Sequence, residues 1–119
     1  MLVPTRELAI QTSFVIKELS KHKKIECMVS TGGTSVKEDV YRLNQTVHIV
    51  VATPGRILDL AQKEVAKLEN CKQLVLDEVD KLLSPDFKQI VSRIIDLLPK
   101  DKQIMLFSAT YPKEIKDFQ

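Results

Sequence analysis

The residues best suited to chemistry lie just after short apolar runs. Asp77 and Glu78 follow Leu74 to Leu76, with Asp80 two positions further on. Adjacent carboxylates at the end of a buried strand can divide their work: one holds a hydrated Mg²⁺, and the next orients or deprotonates a water. The same acids also suit a solvated turn opening a helix at Lys81, where negative charge meets the positive end of the helix dipole. The apolar run immediately before Asp77 favours the metal-holding strand end. Ser108 and Thr110, after the run ending at Phe107, could hydrogen-bond Asp80, although their spacing alone favours an ordinary N-cap ahead of Pro112.

A second group carries a different logic. Pro4-Thr5-Arg6 follows Val3, Thr31-Gly32-Gly33 follows Val29, and Thr53-Pro54-Gly55-Arg56 follows Ala52. Glycine permits close backbone approach, a helix N-terminus presents free N–H groups, and Thr or Arg supplies donors to phosphate oxygens. Each alone is most readily a turn or cap. Three of them on successive strand ends suggest a track for a phosphodiester backbone. Among these strand ends, Thr5, Arg6, Gly33, Thr53, Gly55 and Arg56 are the candidate contacts.

These residues need a scaffold that brings strand ends to one edge. Apolar runs at Ile25 to Val29, Ile49 to Ala52, Leu74 to Leu76 and Ile104 to Phe107 read as buried strands. Between them, helical periodicity places Leu8, Thr12, Val15, Ile16 and Leu19 on one face of a first helix, and Phe87, Ile90, Val91, Ile94 and Leu98 on a later one. Ser35 with Glu38 forms a capping-box pattern, and Pro54 and Pro112 occupy positions a helix start tolerates. Strands alternating with helices imply an α/β fold with an open, mainly parallel sheet, whose ligands sit at the carboxyl ends of the strands.

Composition narrows the choice further. The 119 residues, 44% of them apolar, can bury one core and are too apolar for a disordered chain. No stretch approaches the ~20 apolar residues of a membrane span, and the start lacks a secretory pattern, so a soluble, cytoplasmic protein is expected. Cys27 and Cys71 have no CxxC or His partner at ligand spacing, which disfavours zinc and disulfide frameworks and suggests buried thiols. A net charge of +2 gives no broad basic field, so nucleic acid would be held by a few placed groups. His22, His48 and the Lys21 to Lys24 stretch read as surface or edge residues.

Taken in order, PTRELA (4 to 9), GG (32 to 33), TPGR (53 to 56), DEVD (77 to 80) and SAT (108 to 110) resemble the first RecA-like domain of a DEAD-box ATP-dependent RNA helicase. HIVVATPGRILDL and LDEVDKLLSPDF look most similar to the cytoplasmic subfamily of decapping activators and translational repressors found in P-bodies. The resemblance implies that Asp77 holds Mg²⁺ at the ATP phosphates, through water, and that Glu78 positions the attacking water. It implies that Asp80, Ser108 and Thr110 couple hydrolysis to duplex opening. Thr5, Arg6, Gly33, Thr53, Gly55 and Arg56 would contact the RNA sugar-phosphate backbone, with little base specificity. Partners would be RNA and proteins of mRNA decay or translational repression.

Departures from the family pattern matter too. Val79 stands where Ala is usual, and Tyr111 where Phe is common. No GxxxxGK[ST] phosphate loop, adenine-sensing segment or second RecA-like domain occurs in the 119 residues. The expectation is therefore a partial first RecA-like domain over 1–119, part of a longer helicase and inactive alone. Two other readings compete: a helicase-derived RNA or protein clamp that does not hydrolyse ATP, and an unrelated Mg²⁺-dependent phosphohydrolase. The last predicts more carboxylates at neighbouring strand ends, which hold Thr, Gly and Ser instead.

Overall fold

Four strands, β1 (Cys27–Ser30), β2 (Ile49–Ala52), β3 (Gln73–Asp77) and β4 (Gln103–Phe107), alternate with helices in the computed structural model, which describes residues 1–110 and 116–117. The strands pair in parallel as β1 with β2 and β3 with β4. Residues 1–3 lie between the two pairs and join them. Leu2 bridges both Ala52 and Leu76 in parallel, the Leu2 N–H donates to the Val75 carbonyl at 2.8 Å, and the Val3 N–H donates to Ala52 at 3.0 Å. The spatial order is thus β1, β2, residues 1–3, β3, β4. This is the expected parallel α/β sheet flanked by helices, consistent with a partial RecA-like domain.

Alternation along the central strands builds two apolar layers, because successive side chains point to opposite faces. Val3 and Val51 join Ala9 of α1 (Arg6–Leu19) on one face. Leu2, Ala52, Leu74 and Leu76 join α3 (Pro54–Gln62), α4 (Val79–Leu82) and α5 (Lys88–Leu97) on the other, through Ile57, Leu60, Val79, Leu82, Val91 and Ile94. The apolar face expected for α5 is the one that packs.

Three local expectations are corrected. The first strand starts at Cys27 rather than Ile25, which is exposed. On α1 the expected face packs only in part: Leu8 and Ile16 lie against the core, but the centre of the sheet-facing side falls to one flank of them. Ala9 and Ser13 are the buried residues, while Val15 and Leu19 are exposed. Small side chains let the helix backbone lie close to the sheet, and apolar periodicity alone cannot signal that. Ser35 caps α2 (Val36–Leu43) in extended conformation, but its side chain makes no capping hydrogen bond. Thr53 and Pro54 do open α3 as expected; the helix start expected at Tyr111-Pro112 falls outside the described residues. Both cysteines are free and half-buried, and burial pushes the Cys27 thiol above its ordinary value.

Candidate nucleotide and RNA edge

Parallel strands bring every candidate residue to the carboxyl edge. Asp77 is the last residue of β3, and its register partner is Phe107, immediately before Ser108. Ser30 and Ala52 pair in the same way across β1 and β2, so the Gly32-Gly33 turn and the start of α3 leave the sheet side by side.

On the β3–β4 side the chain turns sharply. Glu78 adopts φ 52° and ψ 50°, the left-handed region, which costs a non-glycine residue roughly 1–2 kcal/mol. Asp77 supports that turn: its Oδ1 accepts the Glu78 N–H at 2.9 Å. One Asp77 oxygen is thereby used locally, and the other makes no hydrogen bond among the described residues. Val79, fully buried beneath, anchors the turn in the core. Lys81 Nζ lies 3.5 Å from Glu78 Oε2. Thr110 Oγ1 donates to Asp80 Oδ2 at 3.3 Å, so the two strand ends touch through side chains. Ser108 does not reach Asp80; its Oγ instead accepts the Thr110 N–H at 3.3 Å.

Among the described residues no three His, Cys, Asp or Glu groups come together as a metal cage. The donor set at Asp77 and Glu78 still suits Mg²⁺, which is usually held by one or two carboxylates with waters and substrate phosphates. Asp77, at the end of β3, is the residue that would hold it.

On the β1–β2 side the residues interlock. Thr5 caps α1, its Oγ1 accepting the Leu8 N–H at 3.2 Å, and the exposed Arg6 follows. Gly33 has φ +88°, and a Cβ there would stand 3.4 Å from Arg6 Nη1, so Arg6 lies against the glycine turn. Gly55 differs: a Cβ there would meet nothing within 4 Å, so internal packing does not demand glycine, whereas close approach of an external group would. The Thr53 N–H donates to the Ser30 carbonyl at 3.1 Å and holds the α3 start against β1.

Arg56 departs from expectation. Rather than turning outward toward a phosphate, its guanidinium donates to Asp39 Oδ2 at 2.8 Å, to Thr34 Oγ1 at 3.2 Å and to the Thr34 carbonyl at 2.7 Å. The Arg56 and Asp39 side chains are 10% and 5% exposed. Ser30 Oγ donates to the same Asp39 oxygen at 2.9 Å. Burying a charge is costly unless it is paired, and the pairing explains the inward turn. Asp39, Thr34 and Ser30 escaped the sequence reading. One faint signal existed for Asp39: four residues from Ser35, it sits a turn into α2 on the side that meets the sheet. Thr31 Oγ1 is buried nearby without a hydrogen-bond partner among the described residues.

Comparison with known proteins agrees with this geometry. Residues 1–118 match the family described as DEAD/DEAH box helicase. The chain is 60% identical over 118 residues to the ATP-dependent RNA helicase cgh-1 of Caenorhabditis elegans, covering 99% of this chain and 27% of that protein. It is 58% identical over 119 residues to the probable ATP-dependent RNA helicase ddx6 of Dictyostelium discoideum, covering all of this chain and 28% of that one. With the ATP-dependent RNA helicase DHH1 of Saccharomyces cerevisiae the figures are 55% over 118 residues, 99% and 23%. The chain thus spans about a quarter of the length of these relatives. With strand-end motifs, parallel sheet and family match in agreement, the chain belongs to the DEAD/DEAH box helicase family.

Proposed function

We propose that residues 1–119 form part of the first RecA-like domain of an ATP-dependent RNA helicase, which couples ATP hydrolysis to RNA clamping and local duplex opening. The observation that carries this reading is the Asp80–Thr110 contact, which ties the carboxylate turn to the neighbouring strand end on the edge that also holds the Arg6–Gly33 corner. The phosphate-cradling loop and the second RecA-like domain would come from other segments, in keeping with the greater length of the relatives. Those relatives are named as ATP-dependent RNA helicases, and by that likeness the nucleotide is ATP and the polymer RNA. The subfamily resemblance extends the proposal to mRNA decay or translational repression, with decay and repression proteins as partners, in the cytoplasm and its P-bodies.

Each residue then has a task set by its position. Mg²⁺, when bound, would neutralise charge on the ATP phosphates, with Asp77 as its protein ligand through water. Glu78, aimed from a strained turn with Lys81 as its carboxylate's one partner among the described residues, orients the attacking water and accepts its proton. Thr110 senses Asp80, and Ser108 steadies the Thr110 backbone. Thr5, Arg6, Gly33, Thr53 and Gly55 line the RNA side, where N–H groups and the Arg6 charge meet phosphates rather than bases. Arg56 serves that side from within, through Thr34.

The test is Glu78→Gln in the full-length natural chain, which keeps the shape and removes the proton acceptor. Turnover with RNA present is expected to fall by roughly 10²–10⁴-fold, with ATP and RNA binding retained. Unchanged turnover removes Glu78 from the chemistry. RNA binding with no hydrolysis in the unmodified protein favours a non-hydrolysing clamp instead. The 119 residues alone are expected to turn over no ATP, because two carboxylates cannot cradle a triphosphate.

A further inference from the structure

The buried carboxylate that holds Arg56 on the carboxyl edge lies in none of the motifs. Asp39, on α2, is buried, and one of its oxygens accepts from both Ser30 at the end of β1 and Arg56 in the first turn of α3. Arg56 in turn grips Thr34 at its hydroxyl and its carbonyl. The Thr34 hydroxyl donates to the Thr31 carbonyl at 2.8 Å and so closes the turn that contains Gly32 and Gly33. The chain of contacts therefore runs from Asp39 through Arg56 and Thr34 to the glycine turn, and it spans the gap between the two β1–β2 strand ends.

We infer that Asp39 is a positioning residue for RNA. It touches no phosphate. By holding Arg56 inward it sets the separation between the Gly32-Gly33 turn and the α3 N-terminus, so that the N–H groups and the Arg6 charge at these two places fit successive phosphates of one strand. This deepens the proposed function and rests on its RNA reading. A different arrangement is physically conceivable, in which Asp39 competes with RNA for Arg56 and restrains binding. The two make opposite forecasts, because freeing Arg56 would loosen the turn in one case and release a phosphate-binding cation in the other.

The experiment titrates the full-length natural chain, unmodified and as Asp39→Asn, with two unrelated single-stranded RNAs at two salt concentrations, well below each melting temperature. Asn keeps the shape and removes the charge. Expected is about a tenfold loss of affinity for both RNAs, with no steepening of the salt dependence. The half-saturating RNA concentration for ATP turnover rises, while turnover at saturating RNA and ATP affinity without RNA are unchanged. A solely structural role would lower the melting temperature and leave these RNA readouts alone. Ser30→Ala, which withdraws one hydrogen bond from Asp39, is expected to show the same pattern at two- to threefold and serves if Asp39→Asn does not fold. Asp39→Asn combined with Arg56→Gln should cost no more than the larger single change, since both act through one chain of contacts. Unchanged affinity in a folded Asp39→Asn protein overturns the inference and spares the RNA reading. Tighter binding with a steeper salt dependence overturns it in favour of competition. An unmodified protein that binds neither RNA sinks both.

Discussion

The two halves of the carboxyl edge hold their charges in opposite ways. On the β1–β2 half, Arg56 and Asp39 meet at 2.8 Å with side chains 10% and 5% exposed, and each has further hydrogen-bond partners. On the β3–β4 half, Lys81 and Glu78 approach only to 3.5 Å with side chains 60% and 40% exposed, and the Thr110–Asp80 hydrogen bond is also solvent-facing. Water and salt screen the second pair, whereas the first cannot be broken without stranding a charge. The contrast suits the proposed work: a phosphate track must keep its spacing whether or not RNA is present, while carboxylates that meet a metal and a water must keep oxygens free. Rigidity in the second half comes from below, through Val79, rather than from partners at the rim.

The comparison breaks most sharply at Arg56. Arg56→Ala is expected to destabilise the fold by about 3–5 kcal/mol, because it leaves the Asp39 carboxylate buried and unpaired. Urea unfolding followed by circular dichroism measures this, and a loss under about 1 kcal/mol would mean that water reaches the pair. Val79→Ala tests the foundation of the other half. Removing two methyl groups from the buried cluster that includes Leu76 and Leu82 should cost about 1–3 kcal/mol, transfer and cavity included. A gain in stability would show that Val79 strains the turn, as overpacking does. Lys81→Ala completes the series at its small end, within about 0.5 kcal/mol in the same assay, as expected for an exposed pair. A loss comparable to that of Arg56→Ala would erase the distinction between the halves.

Much of the edge was legible in the sequence because parallel topology acts on strand ends as a class. Once Leu74 to Leu76 and Ile49 to Ala52 read as buried strands, Asp77 and Thr53 had to emerge on one side. The segment 1–3 was harder: three residues carry no periodicity, and only pairing on both flanks makes them the centre of the sheet. The α1 face was legible only in part: Leu8 and Ile16 pack as expected, but the deepest burial follows the small residues Ala9 and Ser13 rather than the most apolar ones.

By itself the sequence determined the alternation of strands and helices, the identity of the motif residues and the edge on which they gather, since these follow from local pattern and from the rules of parallel connection. Only the tertiary structure decided which way Arg56 faces. A guanidinium at the first turn of a helix can reach solvent or the interior with equal local ease. What turns this one inward is a carboxylate 17 residues away on another helix, and the cost of leaving either charge alone in a medium that cannot solvate it.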